Sequence, residues 1–248
     1  MPPRLAQAAL FLLVFLLALL VWMPAAMLDA ALRQATAGRL SLASAQGTLW
    51  RGEGDLLLLH EHRFLSLGHY LWHVSPRFDS AALEVRLEDG RQAVTVLAVH
   101  PLRRELTLER LQLTLPAQLL PLFAPQLTLY RLGGGMQLTG GPCTLRAGHY
   151  QGTAQLDWRQ ASSALTELNP LGDYRITMRG AGDTLGLTLT TLQGKLVLQG
   201  DGRITADGRL DFNGTARAAA GQEQALSELL HHIGPEQSPG QFSFALAQ

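Results

Sequence analysis

The residues able to do chemistry are few and poorly grouped. His60-x-His62 places two imidazoles on one face of a strand, with His69 and His73 close behind. Imidazole is a common metal ligand, so a metal-dependent hydrolase is one reading of this spacing. Against it, no cysteine lies nearby and Glu61 points to the opposite strand face, so these read as solvent-facing or rim histidines. His231-His232 flank a helix end, where positive charge complements the helix dipole. Cys143, in Gly140-Gly141-Pro142-Cys143, is the one thiol. It has no intramolecular disulfide partner and no CxxC pairing, and reads as inert. Neither GxSxG nor HExxH occurs. Gly194-Lys195 is followed by Leu196, which breaks the phosphate-loop pattern. Gly180-x-Gly182 is a turn between apolar strands with no helix after it. Asn213-Gly214-Thr215 matches a glycosylation sequon but falls in an alternating strand. The carboxylates are scattered. These residues predict no catalytic group, no cofactor, no metal and no enzyme.

Composition narrows the class further. The chain has 248 residues, with 20 Lys+Arg, 20 Asp+Glu and no formal net charge. A nucleic-acid binder usually carries a basic excess, so that class is excluded. Hydrophobic residues make up 47% and charged residues only 16%, which excludes a disordered chain. The 25 glycines and the 6% aromatic content suit many short strands joined by tight turns.

The N-terminus carries the strongest single signal. Leu5 to Met23 is uncharged, with Gln7 its only strongly polar residue. As a helix it would span roughly 28 Å, close to the hydrocarbon thickness of a bilayer. Leu10, Phe11, Leu13, Phe15, Leu17 and Leu20 make insertion favourable, and Trp22 sits where an interfacial aromatic belongs. A cleaved signal peptide has a shorter apolar region and a small-x-small site, to which Pro24-Ala25-Ala26-Met27 is a poor match. The expectation is therefore an uncleaved transmembrane anchor over 5–28. Arg4 lies on its near side and Asp29 on its far side, so residues 1–4 stay in the cytoplasm. A juxtamembrane linker follows over 29–46, with Asp29 to Leu40 able to continue as a helix stopped by Gly38. Residues 47–248 form an exported β-rich domain, with two similar halves at 47–125 and 126–248 as an option.

Beyond the linker the apolar period is two. Leu83, Val85 and Leu87 precede Asp89-Gly90, and Val94, Val96 and Ala98 follow it, which is a hairpin signature. Leu106 and Leu108, then Leu111, Leu113 and Leu115, continue the pattern. Three prolines between Pro116 and Pro125 leave room for at most a short helix. Further strands are expected through Tyr150–Trp158, Tyr174–Met178, Leu185–Leu189, Leu196–Leu198, Leu210–Ala216 and Gln241–Ala247. Turns are expected at Gly182-Asp183, Gln193-Gly194, Gly200 to Gly202 and Asp207-Gly208, with a short strand at Ile204 between the last two. Ala225, Leu226, Leu229, Leu230 and Ile233 follow helical spacing, and Gly234-Pro235 ends that helix. The fold class is mainly β: an antiparallel meander sheet, as a curved sheet, sandwich or partly open barrel, with one N-terminal transmembrane helix and one short C-terminal helix.

Certain Trp, Gly and Pro residues form an ordered series. Gly47-Thr48-Leu49-Trp50-Arg51-Gly52 is followed by Leu71-Trp72-His73-Val74-Ser75-Pro76. Later come Gly148-His149-Tyr150-Gln151-Gly152 with Trp158, then Pro170-Leu171-Gly172-Asp173-Tyr174, Gln199 to Gly202 and Leu210 to Ala216. With the apolar N-terminus, this order over nearly the whole chain resembles protein N of the bacterial type II (general) secretion pathway. The resemblance implies a single-pass inner-membrane protein with its main domain in the periplasm, an accessory part of the protein-secretion machine. It implies no catalytic residues. Its partners would be other secretion components, of the inner-membrane platform or the periplasmic region of the secretin, with the membrane held through the N-terminal helix and no nucleic acid.

Gly47, Thr48, Trp50, Gly52, Trp72, Pro76, Trp158, Pro170, Gly172 and Tyr174 are thus motif residues, serving either structure or partner contact. Tryptophan in an alternating strand usually packs a core, and glycine permits a turn or close strand approach. Two functions stay open. One is a scaffold that contacts secretion components through strand edges or its polar face. The other is a periplasmic lipid-binding or lipid-transfer module, its Leu-rich face left open as a trough. The discriminator is whether the helix at Ala225 to Ile233 and the last strand close that face.

Overall fold

Alternating apolar and polar residues become antiparallel strands along nearly the whole chain. The computed structural model describes residues 11, 14, 15, 18, 19, 21–36, 38, 40–60, 63–89, 93–100, 103, 105–123, 125–146 and 148–247. They divide into two units, Met1–Val94 and Thr95–Gln248.

Most of the expected anchor, including Leu10, Leu13, Leu17 and Leu20, lies outside the described residues. Phe11, Val14, Phe15, Ala18, Leu19 and Val21 are helical, and Phe11, Phe15 and Trp22 are exposed. Among the described residues, no helix is long and apolar enough to cross a membrane.

In the first unit, α1 (Ala26–Ala35) precedes β1 (Leu40–Gly47), β2 (Arg51–His60), β3 (Arg63–Arg77) and β4 (Ala82–Asp89). Each strand pairs antiparallel with the next. Of the segment expected as a linker, residues 29–35 are helix and 40–46 are strand. Ala, Leu and Arg are good helix formers, and Asp29 in the first turn and Arg33 in the last suit the dipole. The helix starts before Asp29 and stops at Ala35, where the Thr36 hydroxyl donates to the Leu32 carbonyl at 2.8 Å. α1 lies along β1. The Leu40 amide donates to Thr36 Oγ1 at 3.0 Å, and the Leu42 amide to Asp29 Oδ1 at 2.7 Å. Ala25, Leu42 and Trp72 form the buried cluster beneath, with Leu28, Ala45, Val74 and Leu87 against it.

The second unit holds β5 (Ala93–His100, entering from Val94), β6 (Glu105–Pro116), β7 (Leu132–Gly140), β8 (Cys143–Arg146), β9 (His149–Ser163) and β10 (Gly172–Gly182). After these come β11 (Thr184–Gly194), β12 (Leu196–Thr205), β13 (Leu210–Ala218), β14 (Glu236–Ser238) and β15 (Gln241–Ala247). Strand order is β5-β6-β7-β9-β10-β11-β12-β13-β15-β14, and β8 pairs with β6 and β9. The apolar phase slips between Leu108 and Leu111 because β6 changes partner there. Leu108 faces Cys143 of β8, whereas Leu111 faces Gly140 of β7. The proline-rich stretch forms two 3₁₀ turns, Ala117–Leu119 and Pro125–Tyr130, around a four-residue helix α2 (Leu120–Phe123).

One expected turn is not a turn. Gly200-Asp201-Gly202 stays extended, and β12 runs unbroken from Leu196 to Thr205. These glycines make room for an aromatic ring. A Cβ at Gly200 would come 2.7 Å from Phe212, and one at Gly202 2.5 Å. Phe244 covers Gly214 in the same way and lies 6.2 Å from Phe212, ring to ring.

α3 (Glu223–Ile233) closes one end of the apolar face of this sheet. Leu226, Leu229 and Leu230 are buried against Leu171, Leu196, Ala216 and Phe242, with Tyr130 and Leu168 alongside. Burying each such leucine contributes about 1.5–3 kcal/mol. The Tyr130 hydroxyl donates to the His232 carbonyl at 3.0 Å, tying the 3₁₀ turn to the helix end. Farther along the same face, Ile176, Leu187, Leu210 and Leu246 are partly buried around Tyr174 and Phe212.

Candidate interaction surface

The motif residues of the first unit converge on one corner. Gly47 has φ +92°, and the Thr48 hydroxyl accepts the Arg51 amide at 3.2 Å, so these residues shape the β1–β2 turn. Trp72 is 4% exposed and its indole donates to the Thr48 carbonyl at 3.1 Å. Gly52 is its cross-strand neighbour. The Trp50 carbonyl accepts the Val74 amide at 2.7 Å. Pro76 faces Leu83 in the β3–β4 hairpin.

The second unit repeats the device. The Trp158 indole donates to the Gly133 carbonyl at 3.0 Å, and its ring lies 5.5 Å from that of Tyr174. Tyr174 is 1% exposed, and its hydroxyl donates to the Leu196 carbonyl at 2.9 Å. Burial pushes that hydroxyl's pKa well above its usual value. Gly172 is buried against β11, and Pro170 follows Asn169 in the loop before it. In both units a tryptophan thus tethers a glycine-containing corner to its neighbouring strand.

The polar face of the second unit's strands carries a charge network that the sequence shows only as scattered carboxylates. Arg175 grips Asp157 with two bonds, of 2.7 and 2.9 Å, and Arg159 adds a third at 3.2 Å. Arg159 also reaches Asp173 at 3.4 Å. The Arg175 hydrogen bonds hold the Asp157 carboxyl below its usual range. The Gln160 amide, then the Gln193 amide and Arg159, do the same for Asp173. The alternation of Asp157 with Arg159 and Asp173 with Arg175 was the available signal, but it becomes a network only through the β9–β10 register. Farther along this unit, a recess of about 770 Å³ is lined by Gln199, Asp201, Asn213 and Thr215 together with Pro235 and Phe244. Asp201 there accepts the Thr188 hydroxyl at 2.9 Å.

The histidines do not assemble. Among the described residues, no group of three His, Cys, Asp or Glu side chains is placed to hold a metal. His62 lies outside the described residues. His69 sits between Asp55, at 2.9 Å, and Glu53, at 3.7 Å. The hydrogen bond to Asp55 raises its pKa despite some opposing desolvation. The Nδ1 atoms of His231 and His232 donate to the Ser227 and Glu228 carbonyls, at 2.7 and 2.8 Å, capping the last turn of α3. The Cys143 thiol donates to the Thr153 carbonyl at 3.1 Å.

The arrangement offers aromatic corners, paired charges and strand edges, the elements of a binding surface. No curated relative and no solved structure matches the chain. The family model for the type II secretion system (T2SS), protein N, matches residues 38–245, from just before β1 nearly to the end of β15. The chain therefore belongs to the type II secretion system protein N family.

Proposed function

We propose that this secretion component is a non-catalytic accessory scaffold, supporting export of folded proteins across the outer membrane through periplasmic protein–protein contacts. Residues 5–28 anchor it in the inner membrane with residues 1–4 in the cytoplasm, and the β-rich remainder is periplasmic. Its partners are the inner-membrane platform, the periplasmic region of the secretin, or both. The family match over residues 38–245 is the observation that carries this reading. The apolar stretch Leu5–Met23 supports the topology. Gly47, Thr48, Trp50, Gly52, Trp72, Pro76, Trp158, Pro170, Gly172 and Tyr174 shape the corners from which contacts are made.

Closure of the Leu-rich face by α3 supports a core over a lipid trough at that end of the second unit. The experiment is deletion in the native host, with an exported hydrolase assayed in medium and periplasm. Crosslinking of the tagged chain runs beside it. Periplasmic accumulation with crosslinked secretion components supports the scaffold. Normal secretion, with phospholipid on the purified protein, would replace it by lipid handling.

A further inference from the structure

We infer that the β3–β4 hairpin tip and the cationic row beside it are a second contact of this chain with an anionic phospholipid bilayer. The inference rests on the reading of residues 5–28 as a membrane anchor.

The direction of the entering chain is its first support. The Leu49 amide donates to the Met23 carbonyl at 2.8 Å, and the Ala25 amide to the Gly47 carbonyl at 3.2 Å. Pro24 and Thr48 form an antiparallel bridge between them. Residue 23 thus faces 49 and residue 25 faces 47. The chain before Met23 leaves the first unit at the end carrying the β1–β2 turn.

The β3–β4 hairpin projects from that same end. His73 lies opposite Arg51, the first residue of β2, and β3 continues to Arg77 before turning. At about 3.3 Å per residue the tip extends roughly 15 Å past Arg51. Phe78 sits at this tip and is 91% exposed, while Trp22, one residue before Met23, is 80% exposed. Exposed aromatic side chains of this kind suit a membrane–water interface.

The charges at the base of the hairpin supply the complement to an anionic surface. Arg51, His73 and Arg86 face one another across β2, β3 and β4. They line a recess of about 300 Å³ together with Leu71 and Glu88. Arg86 pairs with Glu84 at 2.7 Å. Arg51 and His73 have no side-chain partner among the described residues. Arg51 and Arg86 flank His73, so the row presents two fixed positive charges on one strand face. Glu53 and Glu88 stand one row farther from the tip, on either side of Leu71. Arg77 is held by Asp79 and Glu84, at 3.9 and 3.6 Å, which steadies the tip. Basic residues beside an inserted segment are drawn to anionic headgroups.

The test uses the full chain with Cys143→Ser, carrying one new cysteine, Phe78→Cys or Phe64→Cys, labelled with an environment-sensitive fluorophore. Phe64 is 65% exposed at the opposite end of β3, so both positions tolerate the label. The proteins are reconstituted into phosphatidylcholine bilayers with and without phosphatidylglycerol, using brominated acyl chains as quenchers. The label at 78 is expected to be quenched severalfold more than at 64. Arg51→Gln with Arg86→Gln removes the added quenching that phosphatidylglycerol brings. Equal quenching at 78 and 64, in protein that resists alkaline extraction from membranes, overturns the inference and leaves the anchor standing. Protein released by alkali overturns the anchor reading, and this inference with it. Quenching at 78 that is indifferent to phosphatidylglycerol overturns the role of the cationic row.

Discussion

The ring of Trp72 fills the space above Gly52, the residue directly opposite it across β2 and β3. A Cβ at Gly52 would come 2.5 Å from Trp72 Cζ2 and would also strike the Gln46 carbonyl. Gly52→Ala therefore pushes the indole off its site. The expected cost is about 1–3 kcal/mol of unfolding free energy, as for overpacking a core. Trp72→Phe keeps a ring there but strands the Thr48 carbonyl, at a cost of about 1–3 kcal/mol. Denaturant unfolding of both variants checks this. A neutral Gly52→Ala would mean that the ring does not pack there in solution.

Leu226, on the inner face of α3, is fully buried. Leu226→Ala is expected to cost about 2–5 kcal/mol, the range for cavity formation at a buried leucine. Native-state hydrogen exchange should show α3 opening first. Loss confined to the helix, with the strands still protected, would identify α3 as a separately opening lid on the sheet.

His69 should titrate above its ordinary value of 6.5, mainly through its hydrogen bond to Asp55. A pKa raised by folding contributes stability that is fully present below 6.5 and fades as pH rises through the folded value. NMR titration of the ring measures the shift, and Asp55→Asn should bring it back toward the ordinary value. A wild-type ring titrating at or below the Asp55→Asn value would show that the pair does not form.

Asp157 and Asp173 give the opposite sign. Their folded pKa values lie below the ordinary carboxylate 3.8. The stability they supply is present above that value and is lost as pH falls through the lower folded values. Asp157→Asn should be less stable than wild type at neutral pH and less sensitive to acid. Stability of the two proteins, followed by denaturant titration across the acid range, decides it. Parallel curves would remove Asp157 from the acid response.

Local pattern was legible in the sequence wherever one strand face meets an apolar core. Gln241–Ala247 is read and observed with the same bounds, and Leu226, Leu229 and Leu230 of the α3 stripe are buried while Ala225 is exposed. Contacts that depend on register were not legible. Gly200 and Gly202 look like turn residues until the Phe212 ring is placed over them. β7 escaped because Gly133-Gly134-Gly135 interrupts the alternation from which strands are read. Asp29 looks like an ordinary flanking charge, since its bond to the Leu42 amide spans thirteen residues. The motif corners were visible as residue types, but the indole bonds that define them also cross long separations.

The caps that Thr36 and Asp29 place on the Leu40 and Leu42 amides have a consequence for self-assembly. An uncovered terminal strand is a template on which further copies can stack without limit. Here two donors that such stacking would need are already occupied, and α1 shields them along the start of β1. The chain carries its own chain-terminator at this border. Copies crowded together during synthesis meet a finished edge there, where a bare strand would seed a fibre.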